Sequence, residues 1–234
     1  MNSPTIWHLL TRLGEAQILL PAAVLTATAL FVRLETRRLA LIWMLLITVA
    51  AVITTASKLA FMGWGIGSAA IDFTGVSGHA MFAAAIYPIV VLTFVPGKFQ
   101  GKHLLVLALG CALAVLVGVS RVAVNAHSWS EVLAGLLVGG AVTAGALASA
   151  TAALIAVRPI VPALLLVWVA IMPFQLPKSK THQMVTRLAV AMSGNDRAYT
   201  RSDLLRPGQR RGPAPVQPDP PTLPTAKIPG LLLY

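Results

Sequence analysis

His127 and Glu131 stand four residues apart in "HSWSEVLAG". On a helix that spacing puts both on one face, one turn apart. A carboxylate bonded to one imidazole nitrogen fixes the tautomer and leaves the other nitrogen free to attack, the orienting logic of a triad in which histidine itself is the nucleophile. A second histidine, His79 in "FTGVSGHAMFAAA", reads as the proton donor for a leaving oxygen. Around them are two cations and three small residues: Lys58 in "TTASKLAFMGW", Ser120 and Arg121 in "VGVSRVAVNAH", and Ser77 and Gly78 just before His79. Arginine grips two phosphate oxygens with its planar fork, and lysine adds a point charge. Ser77 is placed to cap a helix, the backbone N–H groups that follow attract phosphate, and Gly78 lets an anion approach closely. Lys58, Ser77, Gly78 and Arg121 are thus candidate phosphate-binding residues, with Ser120 beside them, and His127, His79 and Glu131 are candidate catalytic ones.

The elements that must position them are membrane helices. The chain of 234 residues is 57% hydrophobic and only 11% charged, with a mean hydropathy of +0.80; a soluble domain would be about a quarter charged. Six apolar runs, at 16–33, 39–62, 80–96, 103–120, 131–157 and 159–176, approach the ~20 residues that cross a hydrocarbon core. The predicted fold class is all-α, a polytopic helical bundle of about six transmembrane helices. In an alternating bundle, the end of the second run, the start of the third, the end of the fourth and the start of the fifth share one membrane face. All eight candidate residues gather there.

At this point "SGH" followed by "SR-x5-H-x3-E" resembles the type 2 phosphatidic acid phosphatase superfamily, whose pattern is K-x6-RP, PSGH and SR-x5-H-x3-D. The resemblance covers residues 39–157. It implies metal-independent hydrolysis of a phosphate ester through a phosphohistidine, with His127 as nucleophile, Glu131 as its orienting carboxylate, His79 as general acid, and Lys58, Ser77, Gly78, Ser120 and Arg121 holding the phosphate. Four positions depart from the pattern. Gly65 and Ile66 stand where the family has Arg-Pro, which removes one phosphate-binding arginine; Val76 replaces a proline, and Glu131 an aspartate.

The remaining polar residues carry less. Lys58 alone would read equally as a snorkelling lysine; its company favours the ligand. Asp72 reads as a loop acid, with a place at the site entrance as the alternative. Trp64 and Trp129 read as interfacial aromatics, His8, His103 and His182 as surface residues, and the single Cys111 as a small buried apolar residue. The Gly/Ala run "GLLVGGAVTAGALASA" reads as helix packing. The expected organisation is an interfacial segment at 1–15, a membrane-embedded phosphatase domain at 16–177 and a basic, Pro-rich tail at 178–234. The tail reads as disordered from about residue 194, while 181–192 reads as an amphipathic stretch on the membrane surface. No cofactor or metal is implied, because no cluster of carboxylates or thiols is present, and nothing points to nucleic acid.

The formal net charge is +11. Short loops away from the motifs hold Arg33, Arg37, Arg38, Lys98, Lys102 and Arg158, which puts the motif face outside, toward the periplasm or extracellular space, in the cell (inner) membrane. The basic tail argues the other way. The expected substrate is a lipid phosphate or lipid diphosphate, since a site at headgroup level walled by apolar helices suits an amphiphile. A lipid phosphotransferase, and a non-catalytic lipid-phosphate-binding or transport protein, are the alternative readings.

Overall fold

The computed structural model describes residues 3–94, 102–149, 158, 160–177 and 181–206. The six apolar runs become helices, α2 Ala16–Phe31, α3 Arg37–Trp64, α4 Gly78–Leu92, α5 His103–Ala123, α6 Trp129–Ala148 and α7 Ile160–Gln175, preceded by α1 Ser3–Arg12 in the segment read as interfacial. Two more follow, α8 Thr181–Ser193 and α9 Arg201–Leu205, and a single 3-10 turn, Ala69–Ile71, lies in the connection from α3 to α4. The architecture is all-α.

By length and composition α3, α5 and α6 are long and apolar enough to cross a membrane, and Ile6–Arg12 with Ala16–Phe31, bent by 43°, makes up to a fourth span. α4 and α7 are apolar but shorter, 15 and 16 residues. Among the described residues three or four helices meet this measure, against the six spans expected. α4 shows why a helix can fall short. It is buried nearly all round, from Ala80 through Met81, Ile86 and Ile89 to Leu92, so its length is set by the helices around it rather than by lipid.

α4 packs most heavily against α5 and α6, and small residues make the approach close. A Cβ on Gly110 of α5 would stand 2.6 Å from the Pro88 backbone, and one on Gly135 of α6 would stand 2.6 Å from the Ser77 carbonyl oxygen. Pro88 cannot donate to Ala84, and the freed carbonyl is taken by Thr143 Oγ1 at 2.7 Å; next to it Trp43 Nε1 donates to Ala85 O at 2.8 Å. Trp43, Ile47, Leu19, Leu30, Val117 and Leu165 close the core around this helix.

Two expectations change. Cys111 is exposed on α5, not buried, because α5 turns its Gly110, Ala114, Val117 and Gly118 inward instead. Residues 194–206, read as disordered from their composition, form a folded strap. Asn195 Nδ2 donates to Gly63 O at 2.6 Å, Tyr199 N to Met62 O at 2.8 Å, and Thr200 with Asp203 forms a capping box that starts α9. Local hydrogen bonds hold a segment with too few apolar residues to be recognised by hydropathy. The Pro-rich residues 207–234, and Lys98, lie outside the described residues. α8 is amphipathic and exposes Met184, Leu188 and Met192 at intervals of four.

Candidate active site

The site begins at the N-terminus of α6. Ser128 is the cap: Glu131 N donates to Ser128 Oγ at 3.4 Å, and Ser128 N donates back to Glu131 Oε2 at 3.2 Å. This capping box curls the Glu131 side chain toward the helix start. There Oε2 meets His127 Nδ1 at 2.6 Å, with Glu131 fully buried and the His127 side chain 12% exposed. The other carboxylate oxygen, Oε1, accepts from Thr74 N at 2.7 Å and from Thr74 Oγ1. With Nδ1–H committed to the carboxylate, Nε2 is the imidazole nitrogen left with a lone pair. Burial is the largest influence on His127 and pushes its pKa below the usual imidazole range; Lys58 and Arg121 push the same way, while the Glu131 bond pulls back up. The ring is therefore neutral at neutral pH.

α4 starts against this turn. Ser77 N donates to Glu131 O at 3.0 Å, and the Gly135 contact holds the two helices together one turn further on. Ser77 occupies the cap position, yet its hydroxyl makes no capping bond and is buried without a partner. The first N–H groups of α4 are thus free of side-chain caps, at the positive end of a helix dipole. Gly75, at φ 134°, lays the connecting loop across Lys58; a Cβ there would sit 3.1 Å from Lys58 Cγ. Val76 N donates to Ser57 Oγ at 3.0 Å and fastens the same loop to α3. Lys58 Nζ ends 3.9 Å from where a Cβ on Gly78 would stand.

The end of α5 and the bend between α1 and α2 close the other side. Arg121 Nη1 donates to Thr11 Oγ1 at 2.6 Å, and its Nε is buried without a partner. Gly14 packs directly on His79 and Val117, where a Cβ would come within 2.9 Å of His79 Cβ. Lys58, Arg121 and His127 all lie within electrostatic reach of His79.

His127, Glu131, Ser77, Gly78, Lys58, His79 and Arg121 therefore converge on one end of the bundle. Ser120 is also buried there, but its Oγ donates to Val117 O at 2.6 Å within its own helix, so its proton is engaged there in this arrangement. Sequence reasoning missed Thr74, Thr11 and Ser57, whose spacing to the motifs carries no signal. It also missed the capping role of Glu131, which Ser128-x-x-Glu131 does signal. Finally, Arg201 of the strap reaches the site: its Nη2 lies 2.8 Å from Glu131 Oε2 and its Nη1 2.6 Å from Asp72 Oδ2. Asp72 thus borders the site as well as belonging to a loop.

Residues 65–155 match the family described as the PAP2 superfamily. Over 209 residues the chain is 36% identical to an uncharacterized 22.5 kDa protein in the cps region of Klebsiella pneumoniae, covering 85% of this chain and 97% of that one. Over 70 residues it is 39% identical to phosphatidylglycerophosphatase B of Bacillus subtilis (strain 168), covering 29% of this chain and 34% of that one. No solved structure matches.

Proposed function

Because the chain belongs to the PAP2 superfamily, the type 2 phosphatidic acid phosphatases, through residues 65–155, we propose that it is a membrane-embedded phosphatase that hydrolyses a lipid phosphate or lipid diphosphate through a phosphohistidine. His127 Nε2 attacks phosphorus, forming a P–N bond as the P–O bond to the lipid breaks. His79 gives its proton to the departing oxygen. Glu131 holds Nδ1–H and stabilises the imidazolium that develops. Water then attacks the same phosphorus, with His79 taking the proton back, and the P–N bond breaks to release inorganic phosphate. Lys58, Arg121, the Ser77 hydroxyl and the amides that open α4 hold the phosphoryl oxygens and gain strength as charge builds on them; Ser120 joins them when its hydroxyl turns from Val117 O to donate to the phosphate.

The observation that carries this reading is the 2.6 Å contact of His127 with a fully buried Glu131, beside a helix start with an unpartnered hydroxyl. Similarity to a phosphatidylglycerophosphatase supports a lipid phosphate as the substrate class. The reading includes six crossings, α2 through α7, within a catalytic domain at 16–177. It also includes a site facing the periplasmic or extracellular side of the inner membrane, supported by the basic short loops on the opposite face. A phosphotransferase would pass the same phosphoryl group to an acceptor other than water. The rival reading, a binding protein without turnover, has its best support in the absence of an arginine at Gly65.

The test is phosphate release by the purified protein from phosphatidate, phosphatidylglycerophosphate and a polyprenyl diphosphate, with a soluble sugar phosphate as control. Release from a lipid, lost in His127→Ala with the folded protein retained, is expected. Substantial activity in that variant removes His127 as nucleophile. No release from any lipid, with binding intact, leaves the binding protein.

A further inference from the structure

Beyond α7 the chain comes back to the site face. α8 packs on α3, and the strap that follows is tied to the end of α3 by Asn195 on Gly63 and Tyr199 on Met62. The Tyr199 ring then fills the space beside Gly65: a Cβ there would stand 2.8 Å from Tyr199 Cε1, and the backbone sits at φ 71°. On the other side of Arg201, Asp203 caps α9 through Thr200 and takes both terminal nitrogens of Arg197, at 2.8 and 2.9 Å. Arg201, the first residue of α9, is thereby held from both directions.

Its guanidinium spans two carboxylates, Asp72 at 2.6 Å and Glu131 at 2.8 Å. The Glu131 oxygen it touches is the one that grips His127 Nδ1. Each terminal nitrogen gives one N–H to a carboxylate, so in this arrangement the guanidinium charge is turned onto two carboxylates rather than left open to a phosphate. That decides between two roles for a cation in the site. We infer that Arg201 is a positioning residue for the hydrolysis, delivered by the C-terminal strap, which fixes Glu131 in the orientation that holds His127 and is itself anchored by Asp72. The inference rests on the phosphohistidine reading above.

Glu131 on α6, Lys58 on α3, Arg121 on α5 and His79 on α4 act on His127 directly, while Arg201 on the strap meets it through Glu131, and Asp72 on the loop before α4 through Arg201. Removing Arg201 takes one positive charge from beside the Glu131–His127 pair and leaves the carboxylate more free to stabilise imidazolium. His127 then takes up a proton more readily, and the acid limb of kcat/KM moves to higher pH. Glu131 keeps four of its five donors, so the loss of rate is partial, about 10- to 100-fold in kcat for one charge-assisted hydrogen bond.

The experiment compares Arg201→Gln, Arg201→Lys, Asp72→Asn and His127→Ala in the full-length protein, on phosphatidate in mixed micelles. It reads kcat, KM, the pH profile and trapping of 32P-phosphoenzyme. Expected for Arg201→Gln is a fall in kcat with KM little changed, an acid limb at higher pH and less trapped phosphoenzyme. Arg201→Lys should restore part of kcat and most of the limb, and Asp72→Asn should fall between. Unchanged kcat and pH profile in Arg201→Gln, with His127→Ala inactive, overturns the positioning role and leaves the phosphohistidine reading standing. A rise in KM alone assigns Arg201 to substrate binding instead and overturns it as well. Activity in His127→Ala overturns both. If Arg201→Gln does not fold, Arg201→Lys carries the test: a partial fall in kcat with the limb near its wild-type pH supports the role, and wild-type kcat and profile in both Arg201→Lys and Asp72→Asn overturn it.

Discussion

Replacing Glu131 by Gln or by Asp separates charge from reach. The carboxylate accepts from five donors: Thr74 N, Thr74 Oγ1, His127 Nδ1, Ser128 N and Arg201 Nη2. Gln keeps the shape but has one accepting oxygen. If that oxygen stays on Thr74, the amide NH2 faces His127, Ser128 and Arg201, which are all donors. The imidazole answers by turning over to the tautomer that accepts at Nδ1, and Nε2 then carries the proton and cannot attack. Losing the charge of an orienting carboxylate costs about 10⁴ in rate in a comparable triad. Asp keeps the charge but retreats by one carbon–carbon bond, about 1.5 Å. The 2.6 Å bond to His127 and the capping bond to Ser128 then lengthen unless the first turn of α6 shifts. A lost hydrogen bond to a charged partner is worth about 1.5–3 kcal/mol, or roughly 10- to 100-fold. Glu131→Asp should therefore outpace Glu131→Gln by about 100-fold. The assay is phosphate release at saturating lipid phosphate, with thermal unfolding measured alongside because Gln leaves buried donors unpaired. A Gln variant that equals or exceeds the Asp variant refutes the orienting role.

Three further outcomes follow from the geometry. Burial lowers the His127 pKa, and the attacking ring is neutral, so kcat/KM should hold at full value below the ordinary imidazole pKa of about 6.5 and be lost as pH falls through the lowered value; a limb at or above the ordinary value contradicts the buried, neutral nucleophile. Gly135→Leu forces a side chain into the Ser77 carbonyl, where a Cβ alone would stand at 2.6 Å; it should cost about 1–3 kcal/mol in stability and far more in activity, since Glu131 and Ser77 lose register, and a variant with normal turnover would show that the α4–α6 approach does not set the site. Phosphate release should persist in EDTA, because Lys58, Arg121 and the start of α4 supply the positive field; loss on chelation with recovery on added magnesium would sink that assignment.

Much of the site was legible because its residues come in short, fixed spacings. His127 and Glu131 lie within one helical turn, and Ser77, Gly78 and His79 are consecutive, so local geometry alone brings them together. Lys58 and Arg121 joined them through alternation of the apolar runs. What stayed hidden is what depends on tertiary contact. Thr74 reaches Glu131 across 57 residues and Thr11 reaches Arg121 across 110, and no pattern in the chain links either pair. Composition misjudged 194–206 because side-chain and backbone hydrogen bonds, not apolar surface, hold it. Cys111 was misplaced because hydropathy cannot tell a lipid-facing position from a core-facing one. Length misjudged the spans because α4 is bounded by helices on all sides.

The contact between Arg201 and Glu131 also constrains topology through parity. Two side chains in contact lie on the same side of any barrier between two aqueous phases. The chain from residue 131 to residue 201 therefore crosses such a barrier an even number of times. Only α6 and α7 are apolar helices in that interval among the described residues, so they cross together or not at all. α6 has spanning length by itself, so a crossing by α6 requires one by α7, although α7 has only 16 residues. The same reckoning places Arg197, Arg201 and Arg206 in the compartment of Lys58 and Arg121. On the proposed six crossings the basic strap lies on the face opposite Arg33 and Arg158, so the two sets of charge pull the orientation in contrary directions.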